Sequence, residues 1–169
     1  MKKNNIVLII VSLLIFLWAN SSPGQQFLPN APFKAASSKA PDFSLKDLQG
    51  KIFKLSSYRG KPVLIFFGTT WCPSCRSELY VYKEIYQTYT KRGLEVAYIN
   101  IMEPRAKVIK FAKANSLPFK VILDENGDVA TSYSVIGVPT LVLIGKEGKI
   151  ISTTHSAADL PLQKLFPVK

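Results

Sequence analysis

Hydrophobic positions recur along this chain in blocks whose period changes, and the changes mark out its elements. Residues 63–67, Val-Leu-Ile-Phe-Phe after Pro62, are apolar at every position rather than at every second one. Such a run predicts a central strand buried on both faces of a sheet. Two shorter strand-like pieces, 43–45 and 52–55, stand either side of the turn Gln49-Gly50 and predict an N-terminal β-hairpin. A helix is expected from about 73 to 91, ended by Gly93. Its tyrosines at 82, 86 and 89 have the i, i+4, i+7 spacing of a stripe packed on a core. A strand at 95–102 follows, and Pro104 opens a helix to about 115. Lys107, Lys110 and Lys113 give that helix a solvated face, and Val108, Ile109, Phe111 and Ala112 an apolar one. A strand at 119–123, a short helix from the Asn126-Gly127 turn to Tyr133, an antiparallel hairpin of 140–144 with 149–153, and a last helix over 158–166 complete the pattern. Strands alternating with helices and closing on a hairpin predict an α/β domain, a sheet flanked by helices.

The first forty residues follow other rules. Lys2 and Lys3 precede an apolar run, residues 6–19, interrupted only by Ser12. A basic start before an apolar run is the pattern of an export signal. Fourteen residues of helix reach roughly 21 Å, short of a hydrocarbon core of about 30 Å. Two fates are compatible with residues 1–22. Ala19 and Ser21 suit cleavage before Ser22, whereas Trp18 and the polar residues after it suit a retained signal-anchor. Residues 23–40 carry Pro23, Pro29 and Pro32 among Ser, Gln and Ala, and read as a linker. The domain is then expected over 41–169, outside the cytoplasm: periplasmic, or at the outer face of the membrane.

Length and composition narrow the rest. A chain of 169 residues with 47% hydrophobic and 20% charged residues suits one globular domain with an appendage. Its net charge of +11 includes Lys2, Lys3, Lys34 and Lys39 in a stretch before residue 41 that has no acid. That balance suits an anionic surface, and the absence of ribonucleoprotein or finger motifs argues against nucleic acid. Cys72, Cys75 and His155 are too few ligands for a structural zinc site, so no metal is expected.

The chemistry concentrates in Trp71-Cys72-Pro73-Ser74-Cys75, where the buried strand gives way to the first long helix. Cysteines at i and i+3 of a first turn face the same side, close enough to form a disulfide. The first lies at the helix N-terminus, where unpaired N–H groups and the macrodipole favour a thiolate. Pro73 fits the first turn, because its missing N–H would have had no partner there. Cys72 is therefore expected to be an exposed, low-pKa nucleophile, with Cys75 as the resolving thiol. As a mere staple the pair would close a four-residue loop worth only about 2 kcal/mol.

At this point the chain resembles the exported thioredoxin-like thiol–disulfide oxidoreductases of the TlpA/ResA/CcmG type, from about Ala40 to the C-terminus. The likeness rests on Ala-Pro-Asp-Phe-Ser-Leu at 40–45, Leu-Gln-Gly-Lys at 48–51, Arg-Gly-Lys-Pro at 59–62, Phe-Phe-Gly-Thr-Thr-Trp-Cys-Pro-Ser-Cys-Arg-Ser-Glu at 66–78 and Gly-Val-Pro-Thr at 137–140. The resemblance implies a thioredoxin-like fold: a central mixed sheet flanked by helices, with an N-terminal β-hairpin and a helix–strand insertion at about 104–133. It also implies a redox-active Cys72–Cys75 disulfide in place of any bound cofactor. Pro139 would be the family's cis-proline, Val138 would offer backbone groups to a substrate strand beside Trp71, and Glu78 would be an active-site glutamate. Implied partners are protein disulfides and a membrane electron donor, with cytochrome c maturation as a candidate pathway. The buried strand acid of thioredoxin itself is replaced here by Phe66, so proton handling in that manner is not available.

Two other readings compete. Thr69-Thr70-Trp71-Cys72 fits the Thr-x-x-Cys of a peroxiredoxin, but the expected upstream proline is Ile65 and no arginine follows Arg105. A non-enzymatic binding module on the same fold would not need both cysteines. Glu78 could also be a plain solvated helix acid, and His155 a surface histidine that borders the groove only by analogy.

Overall fold

The structure, a computed structural model, describes residues 38–167. The expected signal segment and nearly all of the linker lie outside the described residues. Seven strands form one sheet: β1 Ser44–Asp47, β2 Ile52–Lys54, β3 Val63–Gly68, β4 Glu95–Ile101, β5 Lys120–Asp124, β6 Thr140–Ile144 and β7 Ile150–Thr154. Their order is β2-β1-β5-β4-β3-β6-β7. β3, β4 and β5 run parallel, while β1 and β6 pair antiparallel with β5 and β3. The helices are α1 Pro73–Ser77, α2 Leu79–Tyr89, α3 Arg105–Ala114, α4 Asp128–Ser132 and α5 Leu162–Leu165. This is the thioredoxin-like arrangement the resemblance implied, with β1–β2 as the hairpin and α3-β5-α4 as the insertion.

The all-apolar run of β3 is explained by where its side chains go. Leu64 and Phe66 enter one core, with Leu79, Tyr82 and Ile85 of α2, Val108 of α3 and Leu162 of α5. Val63, Ile65 and Phe67 enter the other, with Phe43, Phe53, Ile122, Val129 and Tyr133. All five are essentially inaccessible, each worth roughly 1.5–3 kcal/mol of burial. Phe66 stacks on Tyr82, with ring centroids 3.9 Å apart. The tyrosine stripe is thus core packing, with Tyr86 and Tyr89 partly buried at its edge.

Two expected helices are interrupted. The span 73–91 divides at Glu78 (φ −83°, ψ −8°) into α1 and α2, and its last turn, Thr90–Arg92, tightens to a 3-10 turn before Gly93 at φ 94°. The span 158–166 breaks at Leu160-Pro161 into a 3-10 turn, Ala157–Asp159, and α5. Pro161 explains that break, since the residue before a proline is driven from the helical region and Leu160 sits at ψ 125°. At the other end of the domain, Ile150 donates its N–H to the Ser38 carbonyl and Ala40 donates to that of Gly148, both at 2.9 Å. The chain is therefore tied to the sheet edge from Ser38 onward. Among the described residues no helix is long and apolar enough to cross a membrane.

Candidate active site

β3 ends at Gly68, and two buried threonines, Thr69 and Thr70, carry the chain to Trp71 and the start of α1. Cys72 is the N-cap residue of that helix, and its sulfur accepts the N–H of Cys75 at 3.1 Å. One of the unpaired donors of a first turn is thereby spent on the sulfur itself. From the other side the Cys72 thiol meets the carbonyl of Val138 at 3.5 Å. The Val138–Pro139 peptide bond is cis. Cys72 is only 4% exposed, a correction to the exposed nucleophile expected from its position at a helix start. The Val138 loop, 66 residues away in sequence, closes over the sulfur.

Cys75 lies beneath it with no exposed surface, and neither cysteine is in a disulfide. Burial, and then the neighbouring Cys72 sulfur, push the Cys75 thiol up to about 12. The second thiol is thereby kept protonated near neutral pH.

Three contacts frame this pair. Glu103, buried two residues past β4, accepts the Thr70 N–H and hydroxyl, both at 2.6 Å, and the Asn100 amide at 2.8 Å. Its ion pair with Lys107 is 2.7 Å long. Burial alone would raise its carboxyl, but Lys107 and the Thr70 and Asn100 hydrogen bonds outweigh that and hold it below the usual carboxylate range. His155 Nδ1 lies 2.9 Å from the Pro139 carbonyl, so the histidine braces the cis-proline loop from β7. Glu78, half-buried at the α1–α2 break, accepts the Ala157 N–H at 3.2 Å. It is therefore anchored across 79 residues of chain rather than freely solvated.

The structure brings Cys72, Cys75 and Val138 together, with Pro139 buried behind Val138. Trp71 stands beside them at 64% exposure. The reading from sequence missed Glu103, whose only signal was an acid closing an apolar strand before Pro104. It also missed two further exposed apolar side chains at this end of the sheet. Met102 follows β4 in a left-handed conformation (φ 53°), and Ile136, two residues before Val138, is almost wholly exposed. Among the described residues no cluster of His, Cys, Asp and Glu could hold a metal ion. A cavity of about 880 Å³ lies at the opposite end of β3, between Pro62, Lys149 and Phe166, and contains no thiol.

Residues 36–153 match the AhpC/TSA family. The thiol-disulfide oxidoreductase ResA of Geobacillus thermodenitrificans is 37% identical over 163 residues, 94% of each chain. That of Geobacillus kaustophilus is 40% identical over 129 residues, 75% of this chain and 74% of the relative. The thioredoxin domain of a thiol-disulfide oxidoreductase from Bacteroides vulgatus superposes with a TM-score of 0.71 at 25% identity, over 76% of this chain and 96% of that one. None of these relatives favours the peroxidase or the binding module. The chain belongs to the AhpC/TSA family and, within it, to the thioredoxin-fold thiol–disulfide oxidoreductases that resemble ResA.

Proposed function

We propose that this oxidoreductase works outside the cytoplasm, held at the membrane by residues 1–22, and reduces disulfides of exported proteins, those of cytochrome c maturation among them. The observation that carries the roles is the placing of Cys72. Its sulfur sits at a helix start and beside the Val138 carbonyl, with Cys75 one turn below it. In this reading the Cys72 thiolate attacks a partner disulfide. A Cys72–partner disulfide forms, the partner's own S–S bond breaks, and the released partner sulfur takes up a proton. Cys75 then loses its proton and attacks the Cys72 sulfur. A Cys72–Cys75 disulfide forms, and the partner leaves fully reduced with two electrons from the dithiol. A membrane electron donor restores the dithiol, and no bound cofactor takes part. Glu78, three residues beyond Cys75, is the carboxylate we assign to take the Cys75 proton. Trp71, Val138 and Pro139 form the wall against which an extended partner segment lies, and exposed Met102 and Ile136 suit that segment to apolar side chains.

The test is a Cys75→Ala chain expressed with its own N-terminus. It should accumulate a mixed disulfide through Cys72 with an exported protein, recovered outside the cytoplasm and released by reductant. A trapped partner that is cytoplasmic, or no trapped partner, would refute the proposal. For Glu78, the Glu78→Gln chain should resolve mixed disulfides more slowly with an altered pH profile, and superimposable profiles would remove it from the site.

A further inference from the structure

Four buried side-chain polar atoms among the described residues have no hydrogen-bond partner: Thr69 Oγ1, Tyr82 Oη, Tyr98 Oη and Asn100 Oδ1. All four residues lie at the dithiol end of the molecule. Buried polar atoms are almost always paired, because an unpaired one forfeits its hydration for nothing. Two of these four are phenols with no exposed surface, Tyr98 on the strand paired with β3 and Tyr82 on the helix that follows the dithiol.

Tyr98 sits on β4 opposite Phe66 of β3, on the face of the sheet covered by α2. Its hydroxyl reaches along that face to Gly68, the next position of β3 on the same side. A Cβ at Gly68 would lie 2.2 Å from Tyr98 Oη, so the missing side chain is what admits the phenol. Thr69, the very next residue, is buried, and the chain runs from it through Thr70 and Trp71 to Cys72, whose sulfur accepts the Cys75 N–H. The phenol and the resolving thiol thus approach the same short stretch of chain. Tyr82 comes from α2, just beyond the Glu78 break, and its N–H donates to the Glu78 carbonyl at 3.0 Å. Its ring is fixed by the stack on Phe66 and its hydroxyl lies near the Glu78 carboxylate.

We infer that Tyr98, with Tyr82 beside it, supplies the hydrogen-bond donors that stabilise the Cys75 sulfur while it carries negative charge. The inference rests on the resolving role proposed for Cys75 above. The pair occupies the region that Phe66, in place of a strand acid, leaves without a polar partner for that thiol. The ionisable groups around the two phenols are Cys72 on the same turn as Cys75, Glu78 close to the Tyr82 hydroxyl, and Glu103, whose charge acts on Tyr98. Burial above all, and then these negative neighbours, push both phenols above their ordinary range, so they remain protonated donors. A neutral thiol is a poor acceptor and leaves those donors unspent, while a thiolate is a strong one. During resolution the Cys75 proton goes to the carboxylate at Glu78 and each tyrosine keeps its own. The sulfur's electron pair forms the bond to Cys72, and the partner departs as a thiolate.

Tyr98→Phe and Tyr82→Phe remove only the oxygens and keep the stacked rings. Mixing the reduced full-length chain with a chromogenic aromatic disulfide releases one coloured thiolate when Cys72 attacks and a second when Cys75 resolves. Stopped-flow absorbance therefore reads the two steps separately. A hydrogen bond to a charged group is worth enough that Tyr98→Phe should slow the second phase about tenfold. The pH profile of that phase should move upward by about one pH unit, and the first phase should be unchanged. Tyr82→Phe should act in the same sense, and the double variant should be slower than either. Thermal stability should be equal or higher in all three, since an unpaired buried hydroxyl is lost. Second-phase rates equal to wild type in the double variant would overturn the inference while leaving the function standing. Release of a single thiolate by the wild-type chain would instead overturn the resolving role of Cys75, and the inference with it.

Discussion

On one face of the sheet Tyr133 packs its ring against Phe43 and Phe67 and donates its hydroxyl to the Pro41 carbonyl at 2.7 Å. On the other face Tyr82 and Tyr98 bury their rings completely, and neither hydroxyl has a partner. The same residue type is thus built in two ways across one sheet. The face away from the dithiol follows the ordinary rule that a buried phenol spends its polar tip. The face behind the dithiol does not, and in the mechanism proposed above it is the face where a sulfur gains charge.

The contrast can be broken most directly at the thiols. With Cys75 pushed up to about 12 and no exposed surface, almost none of it is thiolate near neutral pH. Alkylation of the reduced chain at pH 7 should therefore label Cys72 at least about a hundredfold faster than Cys75, as peptide mass mapping would read. Labelling of Cys75 should rise as pH climbs toward 12. Equal rates at pH 7 would remove the distinction between the two sulfurs.

A methyl group tests the packing behind them. Gly68→Ala puts a Cβ 2.2 Å from Tyr98 Oη and 2.8 Å from Cζ, contacts that must be relieved by moving a fully buried ring. Urea unfolding should show a loss of about 1–3 kcal/mol, partly recovered by adding Tyr98→Phe. Full stability in Gly68→Ala would mean that the ring moves freely, and the phenol would then not be held against the dithiol.

The two kinds of tyrosine should part company when each loses its oxygen. Tyr133→Phe strands the Pro41 carbonyl and should cost about 1 kcal/mol, whereas Tyr98→Phe strands nothing and should cost none. Equal losses in equilibrium unfolding would erase the difference between the faces.

The smallest effect concerns acid. Glu103 has a folded pKa below its unfolded value, so its contribution to stability is complete above about pH 4.3. That contribution is lost as pH falls through the lower, folded value, because the unfolded chain then binds the proton first. Glu103→Gln should flatten this acid limb of the stability curve and loosen the Thr70 loop, visible as faster amide exchange at Thr70. An unchanged limb would assign the acid sensitivity elsewhere.

Local pattern carried far along this chain. The all-apolar run at 63–67, the turn at Gln49-Gly50 and Pro104 before α3 each act over a few residues, and each element appears where the pattern placed it. The break at Leu160-Pro161 went unread although Pro161 signalled it, since a proline restricts the residue before it whatever the fold. The break at Glu78 was not legible, because no glycine or proline marks it.

What the sequence alone determined, then, is the set of elements and the placing of a dithiol where a buried strand meets a helix. Spacing of i and i+3 at a helix start dictates that two cysteines share a face, and no distant residue is needed for that. Tertiary structure decided the environment of each sulfur. Val138 reaches Cys72 across 66 residues, Glu103 reaches Thr70 across 33, and Ala157 reaches Glu78 across 79. Tyr98 meets Gly68 only because β3 and β4 pair in a register that sets Phe66 opposite Tyr98. Periodicity reports which face of its own element a residue occupies, whereas these contacts depend on which elements become neighbours. That choice is made by burying the whole sheet at once.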